Sequence, residues 1–187
     1  GGGFRLKRRI AEFHDIAPER VTLGNGSNDI LEFVARVFLA PGRQAMFARH
    51  AFAVYPIVTQ AQGAEALVVA ANPGDHAMPY GHDLEAFARA LNPKVAVIFI
   101  ANPNNPTGTG ASPGQIEAFL AAVPPQVLVV LDEAYREYLE PKERGDSRAW
   151  LERYPNLVVT RTFSKVYGLA SLRAGYGLSS PATADLF

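Results

Sequence analysis

The chain has 187 residues, of which 48% are hydrophobic and 19% charged, and its formal net charge is zero. This composition is typical of a globular protein, and a neutral chain lacks the positive potential that favours nucleic acid or an anionic membrane surface. The absence of cysteine excludes disulfides, thiol nucleophiles and thiolate metal sites. We therefore expect a cytoplasmic protein that binds neither nucleic acid nor a membrane.

Short runs of apolar and β-branched residues alternate along the chain with longer segments of helical periodicity. Strands are predicted at 20–24, 44–48, 65–70, 94–100, 126–132, 156–162 and 174–179. Helices are predicted at 5–14, 28–40, 55–63, 83–91 and 112–123, with a further short one between the last two strands. This alternation predicts an α/β domain with a doubly wound, largely parallel sheet, and the short last connection makes the seventh strand antiparallel.

Three smaller predictions concern caps, histidines and loops. Asp83 and Ser112 stand where helix N-caps are expected. The four histidines, at positions 14, 50, 76 and 82, lack the spacing of a metal site, so we predict no metal and expect them in loops or at the surface. The polar stretch 140–149 is predicted to be a solvated loop.

Polar motifs follow five of the predicted strands, and ligands of open α/β sheets bind beyond the carboxyl ends of the strands. The motifs, in chain order, are GNGSND, RHAFAVYP, NPNNPTG, DEAY and TFSK. The first offers the free backbone N–H groups of a helix start to an anion. An apolar strand that ends in Asp-Glu is also typical of P-loop ATPases, but the G-x-x-x-x-G-K-[ST] motif of that class is absent from the chain.

With GNGSND, NPNNPTG, DEAY and SKVYGLASLRAG in this order, the chain resembles the fold type I pyridoxal-phosphate-dependent aminotransferases, and within them the histidinol-phosphate aminotransferase branch. The resemblance implies a three-layer αβα sandwich whose seven-stranded, mostly parallel sheet is the large domain of these enzymes. Residues 1–187 would be this cofactor-binding domain. We expect the amino-terminal arm and the carboxy-terminal small domain of the family to lie outside the chain, so that the chain alone turns over little or no substrate.

The resemblance assigns catalytic roles to Lys165, Asp132 and Tyr135. Lys165 would form a Schiff base with the aldehyde of pyridoxal 5'-phosphate and later move a proton at the substrate Cα. Burial beside Arg173 would lower the pKa of this lysine, which must be neutral to react. Asp132 would pair with the protonated pyridine nitrogen. Asn105 and Tyr135 would hydrogen-bond the phenolic oxygen of the ring.

The resemblance also implies a phosphate site and a stacking residue. The phosphate would be bound by one basic side chain, one hydroxyl and the turn that opens the second helix, namely Arg173, Ser164, Gly26, Ser27 and Asn28. A helical segment at 165–173 would bring the basic side chain back to the hydroxyl. Phe52 would stack on the ring, where the family more often has tyrosine, and Tyr55 is either part of the site or simply a core residue.

These roles imply transamination between an amino substrate, histidinol phosphate in histidine biosynthesis, and 2-oxoglutarate, carried out by a homodimer at full length. A lyase on the same scaffold, such as a threonine-phosphate decarboxylase, stays open because it shares nearly every cofactor residue. A non-catalytic cofactor-binding fragment is the third hypothesis. It is disfavoured because a degenerate domain would have lost at least one of these side chains.

Overall fold

The computed structural model describes residues 2–187, and its centre is a seven-stranded sheet. The strands are β1 (Val21–Gly24), β2 (Gln44–Ala48), β3 (Glu65–Val69), β4 (Val95–Ala101), β5 (Leu128–Asp132), β6 (Leu157–Thr162) and β7 (Gly175–Leu178). The helices are α1 (Phe4–His14), α2 (Ser27–Phe38), α3 (Val54–Ala61), α4 (Leu84–Ala90), α5 (Pro113–Ala122), α6 (Ser147–Arg153) and α7 (Pro181–Ala184).

The strand order across the sheet is β1-β7-β6-β5-β4-β2-β3. Strand β7 pairs antiparallel with both β1 and β6, and every other pair is parallel. The antiparallel seventh strand predicted from the sequence is therefore confirmed. Because β7 reverses direction and β1 reverses it again, β1 runs parallel to the central strands, and its carboxyl end lies at the same edge of the sheet as theirs.

Helices cover both faces of the sheet and bury one apolar cluster on each side. The cluster on one face includes residues of α1, α4, α5 and α6, and the cluster on the other face includes residues of α2 and α3. All seven residues of β4 are buried, with Ile98 and Ile100 facing one cluster and Val97 and Phe99 the other. This double burial explains why β4 is an uninterrupted apolar run, as parallel strands covered on both faces are. The three-layer α/β sandwich is confirmed.

The predicted N-caps of α4 and α5 are confirmed. The Asp83 side chain accepts a hydrogen bond from the Ala86 amide, and Ser112 and Gln115 form a reciprocal capping box. The solvated loop predicted at 140–149 is wrong in part, because α6 begins at Ser147. The Asp146 side chain accepts a hydrogen bond from the Ala149 amide and starts this helix.

The helical segment predicted at 165–173 is also wrong. Only Ala170–Leu172 form a single 3-10 turn, because Gly168 adopts a left-handed backbone with φ of 66° and interrupts the segment. The surface placement of the histidines is wrong for His82, which is buried with Nε2 2.9 Å from the Ala101 carbonyl oxygen. Between residues 2 and 187, no helix is long and apolar enough to cross a membrane.

Candidate active site

One cleft lies at the carboxyl edge of the central strands, and it brings together all ten of the site residues predicted from the sequence. They are Gly26, Ser27, Asn28, Phe52, Asn105, Asp132, Tyr135, Ser164, Lys165 and Arg173. Ala101, Ala134 and Thr162 complete the lining. The strand directions account for this gathering, since the loops after β1, β2, β4, β5 and β6 all leave the same edge. Arg173 reaches that edge because β7 runs the opposite way and begins there.

The corner of the cleft around Arg173 is built to approach an anion closely. Helix α2 begins at Ser27 directly after Gly26, whose φ of 84° turns the backbone into the helix. The Arg173 guanidinium donates to the carbonyl oxygens of Ala170 and Asn25 at 3.0 and 3.2 Å, and it forms no carboxylate ion pair within residues 2–187. The buried Ser164 hydroxyl has no hydrogen-bond partner there either.

Two glycines make this close approach possible. A Cβ atom on Gly26 would lie 2.8 Å from Nη2 of Arg173, and a Cβ atom on Gly175 would lie 2.4 Å from the carbonyl carbon of Gly26. Any larger side chain would push the strand β7 and the guanidinium away from the helix start. The corner therefore combines a cation, an unpartnered hydroxyl and backbone N–H groups at a helix N-terminus, which suits a phosphate group.

Asp132 forms the floor of the cleft and is 4% exposed. Its Oδ2 accepts a hydrogen bond from the Tyr55 hydroxyl at 2.9 Å, and its Oδ1 accepts from the Thr160 hydroxyl at 2.9 Å and the Ala134 amide at 3.2 Å. Burial raises the pKa of Asp132, and the bonds from Thr160 and Tyr55 oppose that rise. No basic side chain among the described residues forms an ion pair with this carboxyl group.

Lys165 follows β6, and its Nζ lies 5.2 Å from the centre of the Tyr135 ring. The expected burial of Lys165 beside Arg173 is wrong, since both side chains are exposed. The cause is local, because residues 165–173 form an irregular segment on the surface of the described chain instead of a packed helix. The amine therefore stands at the open side of the cleft, whose lining also includes Asp132.

The loop after β4 is held by two asparagines that precede Asn105, namely Asn102 and Asn104. Asn104 donates to the His50 carbonyl oxygen at 2.7 Å and to the Thr107 hydroxyl at 2.8 Å. Asn102 forms paired hydrogen bonds with the backbone of Ala111. These two amides point into the protein and shape the loop, which leaves Asn105 as the asparagine of this motif that lines the cleft.

Sequence reasoning missed Thr160 and left Tyr55 undecided, and both belong to the site through Asp132. Tyr55 is fully buried and lies one helical turn after Phe52 in the sequence. The two rings meet edge to face with centroids 5.8 Å apart. Thr160 is the parallel-sheet partner of Asp132 in β6. Two signals in the sequence could have found them. Tyr55 lies three residues after Phe52, and Thr160 is paired with Asp132 by the strand register.

Known proteins match nearly the whole length of the chain. The family model described as aminotransferase class I and II matches residues 4–186. A relative from Pseudomonas aeruginosa named histidinol-phosphate aminotransferase 2 is 58% identical over the whole chain, which covers 49% of that protein. A protein of the same name from Nitrosospira multiformis is 52% identical, and the chain covers 46% of it.

Solved structures agree with the observed architecture. The crystal structure of a histidinol-phosphate aminotransferase from Sinorhizobium meliloti, in complex with pyridoxal-5'-phosphate, superposes with a TM-score of 0.91 at 28% identity. The match covers 100% of this chain and 49% of that one. The chain thus spans about half the length of the curated relatives and the structure that it matches.

Proposed function

The chain belongs to the class I and II aminotransferase family, and from this we propose that it is the cofactor-binding domain of a longer pyridoxal-phosphate-dependent enzyme. The reaction is the exchange of an amino group between histidinol phosphate and 2-oxoglutarate, in histidine biosynthesis. The relatives named histidinol-phosphate aminotransferase, at 52% and 58% identity, support this choice of amino substrate. The full-length enzyme is a cytoplasmic homodimer in this proposal.

The residues of the cleft fit pyridoxal phosphate. Its phosphate would be held by the Arg173 guanidinium, the free Ser164 hydroxyl and the backbone N–H groups of Ser27 and Asn28. The unpartnered hydroxyl fits a phosphate ligand, because a buried polar group without a partner is costly unless a ligand supplies one. Phe52 would pack against the ring.

Asp132 would hold a proton on the ring nitrogen. When bound, pyridoxal phosphate supplies a reactive aldehyde carbon and an electron-accepting pyridine ring. A buried carboxylate without a protein cation is the partner that a protonated pyridine needs. This observation, a buried acid whose partners are all uncharged donors, carries the proposal most strongly. Asn105 and Tyr135 would bind the phenolic oxygen from the side of the cleft.

Lys165 would hold the cofactor covalently through Nζ, and once the amino group of the substrate takes its place on the cofactor, the released amine would remove the proton from the substrate Cα. The nearby Tyr135 ring lies 5.2 Å from that amine. Residues 2–187 provide the floor and the phosphate corner of the cleft. The substrate contacts are assigned to the rest of the full-length enzyme, so the chain alone should turn over little or no substrate.

The lysine is tested by chemical capture, which does not depend on turnover. Pyridoxal phosphate added to the protein should give a visible absorption band, and borohydride should fix the cofactor on Lys165, as read by peptide mapping. Lys165→Ala should abolish this capture completely, whereas the matched variant Lys142→Ala on an exposed turn should leave it intact. Reduced cofactor found on Lys94 or Lys142 of the unaltered protein would contradict the assignment.

The reaction is tested on the full-length enzyme with histidinol phosphate and 2-oxoglutarate. Formation of glutamate supports the aminotransferase. Release of carbon dioxide from an amino substrate without glutamate would instead support a lyase of the threonine-phosphate decarboxylase type, which would use the same cofactor residues.

A further inference from the structure

Tyr55 is a buried titratable side chain to which the proposed mechanism gives no task. It is fully buried within α3, and its hydroxyl lies 2.9 Å from Oδ2 of Asp132. A buried tyrosine needs one hydrogen-bond partner for its hydroxyl, and many partners in the backbone would serve. Here the partner is the acid at the floor of the cleft, which links this core residue to the chemistry.

The ring of Tyr55 is fixed on two sides. It stacks on Phe99 with centroids 4.9 Å apart and an interplanar angle of 7°. Phe52 meets it edge to face at 5.8 Å and 90°. A hydroxyl on so constrained a ring cannot follow a moving carboxylate, so Asp132 is held where the hydroxyl is. Because Phe52 also lines the cleft, the same contact ties the ring-facing aromatic to the acid.

The donors around Asp132 stabilise its charge without cancelling it. Tyr55, Thr160 and the Ala134 amide all donate to the carboxylate, and all three are uncharged. A lysine or arginine in the same place would stabilise the carboxylate as well, but it would neutralise the charge that a ring cation needs. Burial, followed by the charge of Asp132, raises the pKa of Tyr55, so the hydroxyl keeps its proton and remains a donor.

We propose that Tyr55 is a positioning residue that orients Asp132 toward the ring nitrogen of the cofactor and favours the charged form of that carboxyl group, so that it sets how strongly the site prefers a ring that can be protonated. The inference rests on the proposed function and adds to it. Its consequence is specific: loss of the Tyr55 hydroxyl should weaken binding of a protonatable ring and leave other contacts to the ligand unchanged.

The test compares two ligands on the full-length protein. Pyridoxal phosphate has the ring nitrogen, and its 1-deaza analogue has carbon at that position but keeps the phosphate, aldehyde and phenolic oxygen. We expect Tyr55→Phe to lower the affinity for pyridoxal phosphate about tenfold, which corresponds to about 1.4 kcal/mol. Affinity for the 1-deaza analogue should stay within about twofold of the unaltered protein, because that ring makes no contact with the carboxylate charge.

Two further variants keep the test decisive. Tyr176→Phe removes another buried tyrosine hydroxyl, one that is paired with His14 and not with Asp132, and it should leave both affinities unchanged. Thr160→Val removes a second donor to Asp132 and should reproduce the selective loss, even where Tyr55→Phe does not fold. In Tyr55→Phe and Thr160→Val, an equal loss of affinity for both ligands, or an unchanged affinity for pyridoxal phosphate, would overturn the inference.

Failure of the proposed function gives a different result. If Asp132 does not face the ring nitrogen, the unaltered protein itself will bind the two ligands equally well, and Asp132→Asn will not change their ratio. A strong preference for pyridoxal phosphate that Asp132→Asn abolishes but Tyr55→Phe and Thr160→Val do not would leave the proposed function standing and refute only the role of Tyr55.

Discussion

Asp132 and Glu133 are adjacent carboxyl groups at the end of β5, equally buried at 4% exposure, yet they meet opposite environments. Asp132 lies toward Tyr55 on the side of α3, and within residues 2–187 it receives only uncharged donors. Glu133 bonds Ser147 at the start of α6 and forms an ion pair with Arg161. The alternation of side chains along a strand sends the two acids to different faces of the sheet.

The difference teaches how to distinguish a structural buried charge from one that is free for a ligand. Arg161 donates to Glu133 from Nε at 2.7 Å and from Nη2 at 2.5 Å, and Arg136 lies 3.5 Å away. Burial works against the charge of Arg161, but Glu133 and other neighbours raise its pKa overall. The charge of Glu133 is therefore satisfied within the protein, whereas that of Asp132 is stabilised but not cancelled.

The largest effect on the free energy of unfolding is expected when the buried ion pair between Glu133 and Arg161 is broken. Glu133→Gln keeps the shape of the side chain but leaves the Arg161 cation buried without its main partner. Breaking a buried pair in this way costs about 3–5 kcal/mol. We expect the lower end, about 3 kcal/mol, because Glu137 lies 3.6 Å from Arg161 and supplies part of the lost attraction. Chemical denaturation measures the free energy of unfolding.

The matched control is Glu32→Gln, which removes an exposed partner of Arg36 on α2. Both side chains of that pair are largely exposed, at 64% and 45%, so the loss should be below about 1 kcal/mol. Equal effects of the two substitutions would mean that the buried pair contributes no more than a surface pair, and the contrast between the two carboxyl groups would lose its basis.

A substitution of Asp132 should reduce the affinity for the ligand without reducing the free energy of unfolding. Asp132→Asn removes a buried carboxyl group that forms no ion pair within residues 2–187, so the free energy of unfolding at neutral pH should stay unchanged or rise slightly. Affinity for pyridoxal phosphate should fall by roughly ten- to hundredfold. This loss corresponds to about 1.5–3 kcal/mol, which is the contribution of a hydrogen bond to a charged group. Denaturation and ligand titration on the same variant measure both quantities. A large loss of stability with unchanged affinity would make Asp132 a structural residue.

The fold could be predicted almost entirely from local patterns. Seven strands and their alternation with helices follow from runs of apolar residues such as the β4 segment. That segment is apolar throughout because it is buried on both faces. The predictions failed where tertiary contacts or one backbone angle decide the outcome. Gly168 breaks the helix expected at 165–173, and His82 is buried through a bond to the end of β4 that no local pattern encodes.

The site residues could be predicted because motifs at strand ends meet at one edge in this topology. Their partners could not be predicted in the same way. The sequence left Tyr55 undecided between the site and the core, and its hydroxyl bond to Asp132 depends on the packing of α3 against the sheet. Exposure of Lys165 depends equally on the irregular segment that follows it. Motifs carry the identity of the groups that react, and packing decides how those groups are held.

The smallest expected effect concerns His14, which lies on the Glu133 side and shares a 2.9 Å contact with the Tyr176 hydroxyl. Burial, and then the cations Arg161 and Arg136, lower the pKa of His14 to about 4 from 6.5. The unfolded chain therefore binds a proton between pH 6.5 and 4 that the folded chain does not bind. The contribution of His14 to the free energy of unfolding is fully present above pH 6.5 and is lost as the pH falls toward 4.

Asp132 acts in the opposite sense, because its pKa is raised and the folded chain keeps a proton that the unfolded chain has already lost. The effect of His14 is therefore best measured in the Asp132→Asn background. In that background we expect the free energy of unfolding to fall by about 1 kcal/mol when the pH is lowered from 7 to 5. This value is discounted because His14 is partly exposed and screened by solvent. Adding His14→Gln should flatten that slope. An equally steep slope without His14 would assign the pH dependence to other groups.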